Sequence, residues 1–182
     1  MTRHSSIALL VVTLLVAPAV GRAQVTFTAA VGGAAHADRA GAVHYRTGTL
    51  PYLKAAVDGA VARAGAWRLV LGAEVAVSGH GDVTDDCPIA PNGDCRRHFP
   101  EFTAVSALAG ARRTFARDLA VGVGMGVGAY SRLGYHVEVD LALPLSRQLA
   151  LVAAARQLWF EVDEGRRVWM RPLTVGLRLG LR

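Results

Sequence analysis

Lysine is nearly missing from this chain: Lys54 is the only one among 20 basic residues, and arginine supplies the rest. Those arginines are scattered in ones and twos, with no basic stripe and no interleaved stacking aromatics. The formal charge of +6 therefore does not mark a nucleic-acid surface. Cysteine is limited to Cys87 and Cys95, and neither a CxxC nor an HxxxH spacing occurs. His80, Asp82, Asp85, Asp86 and Asp94 lie close by, yet no metal-site pattern emerges, and no cofactor is expected. Aromatic residues make up only 7%. Long apolar runs are absent after residue 24. Every later one is broken by charge, by proline or by a strict period of two, so no membrane helix is expected there.

The one continuous apolar run is at the start. "MTRH" is basic, Ile7 to Val20 is apolar apart from Thr13 and Pro18, and "VGRA" offers small residues before Gln24. That order is a secretory signal, expected to span 1–23 and to leave a single domain over 24–182. Arg3 and Arg22 would leave with it, taking two of the six positive charges and leaving +4. An exported chain meets oxidising conditions, so Cys87 and Cys95 are expected to form a disulfide within one polar loop.

What the chain has in abundance is alternation. In "YHVEVDLAL", Tyr135, Val137, Val139, Leu141 and Leu143 are apolar and His136, Glu138 and Asp140 lie between them. In "LAVGVGMGVGAY" the alternate partner is glycine: Gly122, Gly124, Gly126 and Gly128. Four glycines in seven residues would cost a helix about 1 kcal/mol each relative to alanine. Nor is the spacing that of a dinucleotide loop. A strand places successive side chains on opposite faces. Eight segments can carry that period: 25–36, 49–63, 66–79, 101–114, 117–131, 133–144, 147–161 and 167–181. Most exceed the usual soluble strand and suit a tilted membrane strand of about 9–11 residues.

The connections fall into two classes. "RAGA", "FARD" and "PLSR" are tight turns, whereas 37–48 and 80–100 are long and polar. Short turns at one end and long loops at the other, with an even strand number, form the plan of an outer-membrane barrel. In such a barrel the apolar rows face lipid, and the opposite face of each strand lines the lumen. That face carries Lys54, Asp58, Arg68, Glu74, Arg112, His136, Glu138, Asp140, Arg156 and Arg178. Buried charges need partners, so these ten residues are expected to form a lumen charge network. Glycine on the fifth segment leaves room for them, since eight strands enclose only enough space for side chains. The lumen is expected to be charge-laced and largely plugged. The fourth and seventh segments are alanine-rich, and their register is left open.

These features, together with the last strand "RPLTVGLRLGLR", resemble the small bacterial outer-membrane barrels of the OmpA/OmpX-like and opacity-type group, over about 25–182. Members often end in an aromatic residue, where this chain has Leu181-Arg182. The resemblance implies an all-β, eight-stranded antiparallel up-and-down transmembrane barrel, monomeric in outer-membrane lipid. Its role would be structural, adhesive or that of a narrow passage. Phe27, Tyr52, Trp67, Phe115, Tyr130, Tyr135, Trp159, Phe160 and Trp169 are candidates for its aromatic girdles. Loop 80–100 is the expected contact with an extracellular partner. His36, His44 and His98 read as surface residues.

Two other readings compete. Some barrels of this shape are lipid A deacylases with a Ser/His/Glu set on the membrane-facing side. Ser131, His136 and Glu138 come nearest, but Ser131 and His136 differ in parity, and catalysis is not expected. A soluble exported lipocalin-like carrier would turn the apolar rows inward around a greasy ligand. Charges in mid-strand opposite those rows weigh against it.

Overall fold

A computed structural model of the chain describes residues 24–40, 43–79, 81–84, 97–99, 102–115, 119–129, 133–162 and 166–181. They form β1 (Val25–Ala40), β2 (Val43–Ala64), β3 (Trp67–Ser78), β4 (Gly81–Thr84) and β5 (Arg97–Phe99). β6 (Phe102–Thr114), β7 (Ala120–Ala129), β8 (Leu133–Pro144), β9 (Leu149–Val162) and β10 (Arg166–Leu181) follow. Valine-rich alternation fits a pleated surface with two different faces. Eight strands pair antiparallel in chain order, β1-β2-β3-β6-β7-β8-β9-β10, and β10 returns to β1. The result is a closed up-and-down barrel. Its seam runs from Val25 opposite Leu181 to Arg39 opposite Arg167.

Three tight turns cluster at one end. Gly65 and Ala66 link Ala64 to its partner Trp67, and Gly65 supplies the positive φ of 60° that a two-residue hairpin loop needs. The Phe115 amide donates to the Leu119 carbonyl at 2.8 Å to close the β6–β7 turn. In the β8–β9 turn the Ser146 hydroxyl accepts from the Leu149 amide at 3.1 Å.

The opposite end differs from its sequence-based expectation. Residues 37–48 were expected to be a long polar loop. Instead β1 and β2 continue as a paired hairpin to Ala40 opposite Val43, past a register shift between Ala35 and Ala37. Residues 80–100 are likewise a strand pair at both ends. β4 pairs with β5, and β4 also joins β2 through Arg46–Thr84 and Thr47–Val83. Hydropathy alternation reports that the two faces of a strand meet different media. The polar character of these segments does not end the strands, because the backbone ladder pairs whatever the side chains are. The leader 1–23, Cys87, Cys95, Tyr130 and Ser131 lie outside the described residues.

Candidate functional site

The outer wall decides which face is the lumen. On β8 the residues Tyr135, Val137, Val139, Leu141 and Leu143 all point outward and are 45–58% exposed. Leu173, Val175, Leu177, Leu179 and Leu181 also point outward on β10, 39–66% exposed. Each row spans eight residue steps, about 27 Å along a strand at ~3.4 Å per residue. A tilt near 40° reduces that to roughly 20 Å, close to the apolar band of a membrane barrel. Rings mark both borders. At the turn end the Arg113 guanidinium sits over Trp67 at 5.9 Å and over Phe115 at 4.9 Å. At the loop end Tyr135 stacks on Trp159 at 5.1 Å, and Trp159 lies opposite Trp169.

The chain is an eight-stranded transmembrane β-barrel. The apolar rows face out, the reverse of a lipocalin-like carrier. Two girdle candidates are corrected: Tyr52 and Phe160 are buried in the lumen, where their parity with Lys54 and Arg156 directs them.

Toward the loop end the lumen is closed by an apolar plug. Ala34, Tyr52, Ala76, Ala104, Leu158, Phe160, Val168 and Met170 form one buried cluster there. Leu158 and Met170 are wholly shielded. The lumen was expected to be charge-laced and largely plugged, and the apolar make-up of this layer was not foreseen.

Below the plug lies a four-charge cluster. Arg156 makes a two-pronged contact with both oxygens of Glu74, and its Nε donates to Glu138 at 2.8 Å. The same guanidinium donates to the Tyr52 hydroxyl at 3.2 Å. Lys54 completes the set through Glu138 at 2.5 Å. Two cations face two carboxylates, so the cluster is neutral. Lys54 and Arg156 are each 6% exposed and Glu74 is 3% exposed. Such groups are tolerated in the interior only when paired and hydrogen-bonded.

Nearer the turn end are two further pairs. Arg112 grips both oxygens of Asp58 at 2.6 and 2.7 Å, and Thr26 donates to the same carboxylate at 2.6 Å. Arg178 donates to Asp140 at 3.0 Å and to Thr28 at 3.2 Å. His136 is buried beside Gly126 and lines the same cavity as Glu138 and Arg156. Arg68 stands at the mouth of the lumen, where it donates to the Gln24 side chain at 3.0 Å. Thr26 and Thr28 were not singled out from the sequence, and Tyr52 only as a girdle candidate, although their parity places all three on the inner faces.

β7 explains how this much side chain fits. Gly122, Gly124 and Gly126 lie directly opposite Asp140, Glu138 and His136. A Cβ on Gly122 would overlap the Asp140 carboxylate, and one on Gly126 would overlap the His136 ring. Between Gly72, Gly110, Gly124 and the charged groups a cavity of about 50 Å³ remains. That is room for ~3 waters, taking roughly one probe sphere of 10–15 Å³ for each. At the turn end a vestibule of about 230 Å³ opens, lined in part by Gln24, Asp58, Arg68, Arg112, Arg147 and Arg178.

His136 and Glu138 face the lumen and not lipid, so they cannot supply a membrane-side deacylase set.

No protein-family model and no curated protein sequence matches the chain. Among solved structures it is similar to the outer membrane protease OmpT from Escherichia coli. Identity there is 7%, over 87% of this chain and 97% of that one, with a TM-score of 0.49. It is also similar to Ail, the attachment invasion locus protein of Yersinia pestis, at 11% identity, 86% and 99% coverage and a TM-score of 0.45. Neisserial surface protein A, NspA, gives 14% identity, 86% and 97% coverage and a TM-score of 0.36. The fold of this barrel stands on its own closed ladder and its two unlike faces.

Proposed function

We propose that this barrel is exported by its leader to the outer membrane and serves there as a monomeric structural or adhesive scaffold. In this reading it holds the segment between β3 and β6 outside the cell, stapled by a Cys87–Cys95 disulfide, as the contact for an extracellular partner. The observation that carries it is the apolar plug at the loop end. A layer of Leu158, Phe160, Val168 and Met170 excludes water and ions, because a dry apolar constriction opposes conduction. The plug favours display on a closed wall over passage through it.

The test has three parts. Fractionation is expected to leave the protein in the outer membrane, with unboiled protein migrating differently from boiled protein on a gel. The purified barrel is expected to give no steady current across a planar bilayer. Leu177→Arg, at mid-height on the lipid face, is expected to cost about 2–4 kcal/mol and to impair assembly. Replacing residues 85–96 by a short Gly-Ser turn should keep the gel shift and abolish adhesion to host cells. Release into the soluble periplasm, or a stable open conductance, would sink the proposal.

A further inference from the structure

We propose that the vestibule at the turn end of the lumen is a binding site for a compact phosphate-bearing anion. Its lining sets four guanidinium groups, Arg68, Arg112, Arg147 and Arg178, against one carboxylate, Asp58. The pairs described above account for two of the four. Arg112 is matched by Asp58, and Arg178 by Asp140 of the adjoining cavity. Arg68 donates to neutral Gln24, and Arg147 sits exposed on the β8–β9 turn. The site therefore keeps an excess of about two positive charges at its mouth, inside low-dielectric walls that focus the field onto an entering anion.

A second observation concerns Arg112, one of the lining residues. The Nε of Arg112 is buried and has no hydrogen-bond partner among the described residues, although both terminal nitrogens are engaged. A buried donor of this kind calls for an acceptor. Guanidinium forks match the oxygens of a phosphate group in geometry and charge.

Size selects the ligand class. At about 230 Å³ the vestibule is below the ~300–1,000 Å³ of pockets that take drug-sized ligands. It suits inorganic phosphate or a small phosphomonoester. The plug closes the far side, so the ligand enters and leaves through the turn end, which faces the periplasm under the orientation proposed above. A free phosphate solute and the headgroup of an inner-leaflet lipid share this chemistry, and the probes below separate them.

The experiment is calorimetric titration of the full barrel in uncharged maltoside micelles at fixed ionic strength. The probes are sodium phosphate, glycerol 1-phosphate as the headgroup analogue, and sodium chloride as the control. Saturable one-to-one binding of phosphate is expected, with no response to chloride. The Arg68→Gln/Arg147→Gln double variant should bind about tenfold or more weakly while keeping the gel shift of a folded barrel. Arg147→Gln alone, on an exposed turn, provides a second variant should the double one fail to assemble. Tighter binding of inorganic phosphate assigns the site to a free solute, and tighter binding of glycerol phosphate assigns it to a headgroup. No saturable binding up to millimolar phosphate, or binding that neither variant weakens, overturns the proposal. Such a failure leaves the gel shift and the absent conductance untouched, so this inference and the scaffold reading fail separately.

Discussion

Toward the loop end the lumen is filled by Leu158, Phe160, Val168 and Met170; toward the turn end, inside the same wall, it is filled by ion pairs and a vestibule. Apolar packing has no direction, so its groups need only occupy the volume. Ion pairs specify partners. Arg156 meets Glu74, Glu138 and Tyr52 at once, and each contact fixes a different strand relative to β9. The plug seals, whereas the charged half sets which strands face each other across the lumen and leaves space for water. The comparison predicts that the two halves respond differently to damage.

The largest effect is expected from Arg156→Met. It removes the shared cation and strands Glu74 in the interior, which costs about 3–5 kcal/mol for a buried pair broken on one side. Urea unfolding of the detergent-solubilised barrel would measure it. Arg156→Met/Glu74→Met should recover a large part of the loss, since Glu138 keeps Lys54. A double variant no better than the single one would break the claim that the pair, and not the residue volume, carries the cost.

Leu158→Ala comes next, at about 3 kcal/mol within the usual range for a fully buried leucine. No second substitution in the charged half should rescue it, because no partner is stranded. It should also thin the plug, so brief single-channel openings are expected in planar bilayers where the parent shows none. Unchanged stability would mean that the plug collapses freely around the gap.

Smaller still is the contrast between two glycines of β7. Gly126→Ala collides with the His136 ring and the Ala107 carbonyl and should cost about 1–3 kcal/mol through overpacking. Gly124→Ala meets nothing closer than 3.5 Å and should be neutral or stabilising by about 0.5 kcal/mol. Equal effects at the two sites, read from matched urea midpoints, would show that β7 needs glycine for its backbone and not for the neighbours it accommodates.

Much of the architecture was legible because one physical signal, unlike media on the two faces of a strand, runs through most of the chain. It located the eight wall strands and divided Leu177 from Arg178. It weakened where the contrast weakens. In β6 the inward Leu108 is more apolar than the outward Ala107 and Ala109 on either side of it, and in the upper parts of β1 and β2 the alternation of Ala35, Ala37, Val43 and Tyr45 with His36, Asp38, His44 and Arg46 is too short and polar to stand out. Tyr52 and Phe160 were misread because position near a strand end was weighed above parity. The inner face was legible, but pairing across it was not. Lys54 and Glu138 are 84 residues apart, and Arg156 and Tyr52 are 104 apart. Only strand tilt and register bring them together, and neither is written in local sequence. The plug had the same defect: its residues come from six strands, and none is conspicuous alone.

The seam between β1 and β10 bears on how the barrel comes to exist. Val25 waits for Leu181, and Thr28 for Arg178, a contact that spans 150 residues. Until that last hairpin arrives, two long strand edges stand open, each a template for the wrong partner. Contacts of such separation form late, after the entropy of closing the chain has been overcome. Arg178, gripping Thr28 across the seam and Asp140 across the lumen, then acts as a latch that engages only when the cylinder is complete.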